Sequence, residues 1–116
     1  MKKEHVINRN KDYRRAYNRG KFSSSPILVT YAVRNRFRIK RFGITTTKKT
    51  GIAVQRNRAR RIIRAALAKL KHRIRNGYDI VFVSRKPTCE MKTQDVFASM
   101  ERELLDLGLL QWKKFL

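Results

Sequence analysis

The fold is decided by the stretch Arg56-Asn57-Arg58-Ala59-Arg60-Arg61-Ile62-Ile63-Arg64, the densest part of the segment 51–75. Apolar side chains recur in this segment at steps of three and four, which at about 100° per residue places them on one side of a helix. We therefore predict one long helix over 51–75 that packs on a core and ends at the cap Asn76-Gly77. The apolar stripe comprises Ala59, Ile62, Ile63, Ala66, Leu67, Leu70 and Ile74.

The opposite side of this predicted helix is strongly basic. Residues 48–75 include eleven Lys or Arg and no acid. Arg60 and Arg64 stand four residues apart with the same sign, which destabilises an isolated helix. A solvated helix face usually mixes signs, so this face is better explained as a binding surface for a polyanion such as nucleic acid. It carries Asn57, Arg60, Arg61, Arg64, Lys71 and Arg75.

The whole chain shares this charge imbalance. Its 116 residues carry 30 Lys or Arg against 8 Asp or Glu, a net charge of +22, and no acid occurs between Asp12 and Asp79. The length suits a single domain over 1–116, and we expect anions or RNA to stabilise it. The lone Cys89 suits a reducing compartment, and no apolar run resembles a secretory signal or a membrane span. We therefore expect a cytoplasmic protein.

The remaining elements are shorter. A helix is predicted from a cap at Asn8 or Asn10 to about residue 18, and 23–26 resembles a turn. Strands are predicted at 27–33, at 41–47 and at 79–84, the last buried on both faces. Residues 34–40 are either a hairpin connection or an extension of the paired strands. The order of helix, strands, helix, strand and helix predicts an α/β (α+β) sandwich, with one sheet and helices mostly on one face.

A final helix is predicted after Thr93, a candidate cap. It carries half of the acids of the chain, and we expect these to face outward, away from the polyanion. They are Asp95, Glu101, Glu103 and Asp106.

The sequence resembles the protein subunit of bacterial ribonuclease P over about residues 7–107. The similarity rests on Phe42-Gly43-Ile44-Thr45-Thr46-Thr47-Lys48-Lys49, Gly51, Ala53-Val54, Arg56-Asn57-Arg58, Arg60-Arg61 and Arg64. Asp12-Tyr13, Tyr17, Gly20 and the strand at 79–83 before Arg85-Lys86-Pro87 also match in order and spacing. Two features depart from the family: Ile52 stands where Asn is common, and Tyr13 and Tyr17 stand where Phe is frequent.

The resemblance implies a function and a fold. The protein would be the accessory subunit of an endoribonuclease whose catalytic RNA removes the 5′ leader of precursor tRNA, with Mg²⁺ held mainly by that RNA. It would contain an unusual left-handed βαβ crossover, as in a ribosomal-protein domain. No catalytic residue, protein metal ligand, small-molecule cofactor or membrane partner is expected. Binding of the catalytic RNA is expected of Lys48, Lys49, Arg56, Asn57, Arg58, Arg60, Arg61 and Arg64.

Four residues are expected to bind the leader: Tyr13, Tyr17, Val29 and Tyr31. If the first helix packs beside the sheet, the two helical tyrosines line one wall of a groove whose floor carries the two strand residues. Aromatic walls with basic rims suit a single strand, because every base offers a face on which to stack. The alternative is that these rings pack in the core, which is common for aromatic residues at helical spacing.

Two other functions compete with this one. The charge alone would equally support a structural ribosomal protein or an RNA chaperone, but neither needs an aromatic groove. An autonomous metal-dependent nuclease would need clustered carboxylates, and the acids of this chain are scattered. Asp79 and Glu90 are the pair that could still meet in space.

Overall fold

Three helices and a four-stranded sheet build the fold over residues 5–47, 50–85 and 91–111, the part of the chain that the computed structural model describes. Residues 71–73 continue the second helix as a single 3₁₀ turn. The elements in chain order are α1 (Asn10–Arg19), β1 (Lys21–Ser24), β2 (Leu28–Arg34), β3 (Arg41–Thr45), α2 (Ala53–Leu70), β4 (Tyr78–Ser84) and α3 (Thr93–Asp106).

The sheet has the strand order β1-β2-β4-β3. Strand β4 pairs antiparallel with β2 and parallel with β3, and α2 connects the two parallel strands. The predicted α+β architecture with a βαβ unit is therefore confirmed, while the hand of its crossover stays a prediction. Because β4 lies between β2 and β3, the segment 34–40 is a connection across the sheet and not a hairpin between neighbours.

The two faces of the sheet carry separate cores. Side chains alternate along a strand, so Leu28 and Ala32 of β2 face the large core beneath α2 and α3, together with Ile80 and Phe82 of β4. The opposite face packs against α1 in a smaller core. Two of the three helices thus share one face, as expected. The smaller core contains Ile7, Ala16 and Val81, with Tyr13, Tyr31, Val33 and Val83 packed against it.

Helix α2 is shorter than the prediction of 51–75. It ends at Leu70, and Ile74 lies in an isolated antiparallel bridge to Leu110. The backbone here bonds to the segment after α3: the Arg75 N–H donates to the Leu109 carbonyl at 2.9 Å, and the Arg73 carbonyl accepts from Gln111 at 2.7 Å. These tertiary bonds replace helical ones, so the predicted cap at Asn76-Gly77 is wrong. The apolar stripe is confirmed, since its residues are buried or half-buried.

Strand β1 was absent from the sequence prediction, which placed a turn at 23–26. Its four residues, Lys21–Ser24, are polar apart from Phe22 and occupy an edge, so they show no apolar alternation. The turn lies slightly later, where the Ser25 hydroxyl accepts the N–H groups of Ile27 (3.4 Å) and Leu28 (3.2 Å).

Two predicted caps and one strand end also need correction. Helix α1 begins after Arg9 and α3 after Lys92, and neither N-cap makes a side-chain hydrogen bond. Asn10 and Thr93 are instead the first helical residues. Strand β3 ends at Thr45 and not at residue 47, because the Thr47 carbonyl enters a turn and accepts the Thr50 N–H at 2.9 Å.

A buried ion pair fixes the start of β3 against β4. Arg41 donates from Nε and Nη2 to the two carboxylate oxygens of Asp79 at 2.8 and 2.6 Å. Asp79 is fully buried and also accepts from Asn35 Nδ2 at 2.8 Å. Hydrogen bonding to Asp79 is the largest cause that raises the pKa of Arg41. Asp79 is therefore a structural residue, and its suggested partner Glu90 lies outside the described residues.

The acids of α3 do not all face outward. Glu101 pairs with Arg73 at 2.8 Å, and Asp106 pairs with Arg102 at 3.3 Å. Glu103, however, is fully buried against the sheet. Its carboxyl group lies near the hydroxyls of Ser25 and Thr30, but neither oxygen makes a hydrogen bond of good geometry with a described residue. Burial raises the pKa of Glu103 from 4.5 to about 7, with the hydroxyls of Ser25 and Thr30 acting in the opposite direction.

Glu103 should make the stability of the protein depend on pH. Between pH 4.5 and about 7 the folded chain keeps a proton that the unfolded chain has lost. The free energy of unfolding therefore falls as pH rises through this window, by about 3 kcal/mol in total. Glu103→Gln, which is always neutral, should raise the free energy of unfolding at pH 8 and remove this part of the pH dependence in denaturant titrations.

The control is Asp106→Asn, which neutralises an exposed carboxylate of the same helix. It should leave the slope between pH 4.5 and 7 in place. If the free energy of unfolding changed with pH in the same way for the parent and for Glu103→Gln, Glu103 would not be neutral and buried in the folded protein.

Candidate nucleic-acid interface

Helix α2 presents a surface of unpaired arginines. Because Ala59, Ile63 and Ala66 face the core, the arginines between them turn outward. Arg60 Nη1 donates to Asn57 Oδ1 at 3.0 Å, one turn away. No described acid forms an ion pair with any arginine of this helix. A shallow concavity of about 400 Å³ lies along this surface, here named the arginine face: Asn57, Arg60, Arg61 and Arg64.

The structure places the predicted RNA-binding residues of α2 on two different flanks of the helix. Arg58 projects from the other flank of α2, where a second shallow concavity opens beside Thr93, and Arg61 borders both concavities. Arg56 is half-buried. Lys48 and Lys49 lie outside the described residues. Four of the eight predicted residues, those of the arginine face, are therefore brought together, with Arg58 on a separate flank.

The start of α2 departs from the family pattern at Ile52, and the structure shows what replaces a polar cap there. The Ile52 N–H donates to Gln55 Oε1 at 2.9 Å. A side chain one turn into the helix thus satisfies the backbone group. The Ile52 side chain itself has no acceptor and is exposed.

Aromatic side chains gather on the sheet face that α1 covers. The Tyr17 ring lies 6.5 Å from Tyr13 and 5.0 Å from Tyr31, edge to face in the second case. Phe22 lies opposite Tyr31 in the β1–β2 register, with ring centroids 5.8 Å apart. We name these four residues the aromatic row. Val29, the fourth predicted leader residue, lies on the same sheet face, two residues before Tyr31.

Phe22 is the member of the row that sequence reasoning missed. It belongs to the undetected strand β1, so its position opposite Tyr31 could not be inferred. With one apolar residue in four, this edge strand offered no alternation that could have signalled it. Phe22 is 63% exposed, the most open ring of the row.

The rings of the row differ in accessibility. Tyr13 is half-buried: its hydroxyl donates to the Ile7 carbonyl at 3.0 Å, and its ring lies directly on Gly43. A Cβ at Gly43 would come within 2.7 Å of the Tyr13 ring. Tyr17 is 37% exposed, with its hydroxyl 2.9 Å from Thr45 Oγ1. Tyr13 thus serves packing, while Tyr17 and Phe22 present accessible rings.

The charge of Arg60, on the arginine face, acts on Tyr13 of the aromatic row. Burial is the main cause that raises the pKa of Tyr13, with Tyr17 adding to it, while the charge of Arg60 lowers it.

Four of the six described carboxylates face arginines outside the arginine face. Asp12 and Asp79 both face Arg41, at 3.6 and 2.6 Å, while Glu101 and Asp106 pair with other arginines. Within the described ranges no three His, Cys, Asp or Glu side chains are grouped so that they could hold a metal ion. These side chains therefore do not suit a Mg²⁺ ion. None of the described helices is both long enough and apolar enough to cross a membrane.

Known sequences resemble this chain over nearly its whole length. The family model described as Ribonuclease P matches residues 1–108. Ribonuclease P protein components of Clostridium botulinum and Bacillus cereus are each 35% identical to it, over 108 and 118 residues respectively. These matches cover 92% and 98% of this chain and 97% and 100% of the two relatives.

Solved structures agree with the sequences. The RNase P protein of Staphylococcus aureus has a TM-score of 0.81 at 30% identity, covering 92% of this chain and 98% of its own. The RNase P protein of Thermotoga maritima has a TM-score of 0.74 at 25% identity, covering 84% and 92%. The chain therefore belongs to the ribonuclease P protein component family.

Proposed function

We propose that this chain binds the catalytic RNA of ribonuclease P through the arginine face and the 5′ leader of precursor tRNA through the aromatic row. The observation that carries the proposal is that Tyr17 and Phe22 present accessible rings on a chain whose helix α2 carries arginines with no described acid partner. Unpaired guanidiniums bind phosphates through forked hydrogen bonds. Exposed rings on a basic surface suit a single strand. The protein would thus hold the substrate strand beside the RNA that cleaves it.

The proposal places the chemistry in the RNA. Hydrolysis of a phosphodiester with metal ions needs carboxylates that are free to coordinate them. Of the described carboxylates, Asp12, Asp79, Glu101 and Asp106 face arginines and Glu103 is buried. Asp95 is exposed, and it belongs to no group of three possible metal ligands among the described residues. Mg²⁺ is accordingly assigned mainly to the RNA partner, with leader removal to give the mature tRNA 5′ end. The proposed location is the cytoplasm.

A structural ribosomal protein or an RNA chaperone would use the same charge. Such a protein has no need for accessible rings, yet Phe22 and Tyr17 remain open on the row. The aromatic row therefore favours a subunit that also contacts a single-stranded substrate.

The arginine face should bind the catalytic RNA chiefly through phosphates. Arg60→Ala with Arg64→Ala removes two cations from it, so affinity for the RNA should fall about tenfold or more near physiological salt. The slope of log affinity against log salt should become shallower by about two. Filter binding over a salt series measures both quantities.

Lys69→Ala with Lys92→Ala is the matched control, since it removes the same charge at exposed positions away from the arginine face. It should change the affinity and slope far less. An equal loss in the two double variants would mean that net charge, and not this face, determines binding.

Tyr17 should bind the leader by stacking. Tyr17→Ala should weaken binding of precursor tRNA with a leader of several nucleotides about five- to a hundredfold, because one stacked base contributes about 1–3 kcal/mol. Binding of tRNA with a single-nucleotide leader should be unchanged. Equilibrium binding to the reconstituted holoenzyme measures both substrates.

Tyr17→Phe separates the ring from its hydroxyl. This variant keeps the stacking surface and loses only the hydrogen bond to Thr45, so it should bind long leaders nearly as well as the parent. If Tyr17→Ala weakened both substrates equally and lowered the melting temperature, Tyr17 would be a core residue.

A further inference from the structure

The connection between β2 and β3 is a rigid loop with an exposed ring. Asn35 holds it: the Asn35 N–H donates to the Gly77 carbonyl at 2.8 Å, and Asn35 Nδ2 donates to the Ile39 carbonyl at 3.0 Å and to buried Asp79 at 2.8 Å. Asn35 Oδ1 also accepts the Phe37 N–H at 3.0 Å. The loop is therefore preorganised, although Phe37 itself is 56% exposed.

Phe37 is held from one side. The guanidinium carbon of Arg41 lies 4.4 Å from the ring centroid, a cation–π contact. Arg41 is in turn fixed by its two hydrogen bonds to Asp79. Ordering an accessible phenyl ring in this way lowers the entropy cost of binding against it.

A basic concavity of about 370 Å³ adjoins this ring. Arg9 and Lys11 line it, and no described acid pairs with either. The carboxylate of Asp12, also in the lining, faces Arg41 at 3.6 Å. The cations of the lining, Arg9, Lys11 and Arg41, outnumber this one carboxylate. Arg36 and Arg38 of the loop are exposed nearby. An apolar ring beside cations with no described acid partner suits a nucleotide. Its base can stack on the ring while its phosphates bind the cations.

Strand β3 shows how this site relates to the aromatic row. Its residues Arg41, Gly43 and Thr45 point to the α1 face at steps of two. Each contacts one aromatic side chain: Arg41 contacts Phe37, Gly43 lies under Tyr13, and Thr45 bonds to Tyr17. The ring of Phe37 thus follows Tyr13 along the same strand, beyond the end of the row.

We propose that Phe37 and the adjoining concavity bind one further nucleotide of the leader, beyond the Tyr13 end of the aromatic row. The base would stack on the open side of Phe37, and Arg9 and Lys11 would bind its phosphates. This site rests on the proposed function, since the row must hold the preceding part of the strand. It requires a leader long enough to extend past Tyr13.

The test measures binding of two precursor tRNAs to the reconstituted holoenzyme. One carries a short leader that reaches only the aromatic row, and the other carries a long leader that extends past it. Phe37→Ala should weaken the long-leader substrate about five- to a hundredfold and leave the short-leader substrate unchanged. Phe37→Tyr, which keeps the ring, should retain long-leader binding. Tyr17→Ala, measured alongside, should weaken both substrates.

The outcomes separate this site from the proposed function. An unchanged long-leader affinity in Phe37→Ala would overturn the site, even if Tyr17→Ala still weakened both substrates. An equal loss on both leaders, or weaker binding of the catalytic RNA itself, would also overturn it, because Phe37 would then act on the loop or on the RNA subunit. If Tyr17→Ala had no effect on either substrate, the proposed role of the row would fail.

Discussion

The pairing of β4 with both of its neighbours is the constraint on which the rest of the structure depends. Its register places Val81 under α1 and its neighbours Ile80 and Phe82 under α2 and α3. A slip of one residue would exchange the two faces. The same register aligns Arg41 with Asp79 and sets Gly43 beside Val81, so that the Tyr13 ring fits on a position without a side chain. Both candidate binding surfaces are therefore consequences of one strand alignment.

The distribution of acids explains why the arginine face stays available. Four of the six described carboxylates face arginines elsewhere: Arg41 at the start of β3, Arg73 after α2 and Arg102 on α3. The pairs at Arg41 and Arg73 are buried or partly buried, and such pairs position elements more than they stabilise the fold. Helix α2 is left with cations that have no described counter-charge, so a polyanion is the partner that relieves their repulsion.

The sequence predicted the elements whose hydrophobic residues repeat with a clear period. It failed where hydrogen bonds to distant residues determine the structure. The stripe of α2 and the apolar run of β4 predicted the buried elements, because both repeat with the period of their structure. The end of α2 at Leu70 depends on bonds to residues 109–111, which no local pattern contains. Phe22 was missed for a similar reason, since a polar edge strand has no clear alternation. Glu103 was placed outward because charge alone gave no sign of its burial.

The central claim is that this protein assists cleavage by an RNA and does not cleave by itself. The most direct measurement is the rate of precursor-tRNA cleavage by the cognate catalytic RNA at low Mg²⁺, with and without the purified protein. The account predicts that the protein raises the rate of cleavage at the mature 5′ end, and that protein free of RNA produces none. It would be contradicted by an unchanged rate, or by metal-dependent cleavage from a preparation demonstrated to contain no RNA.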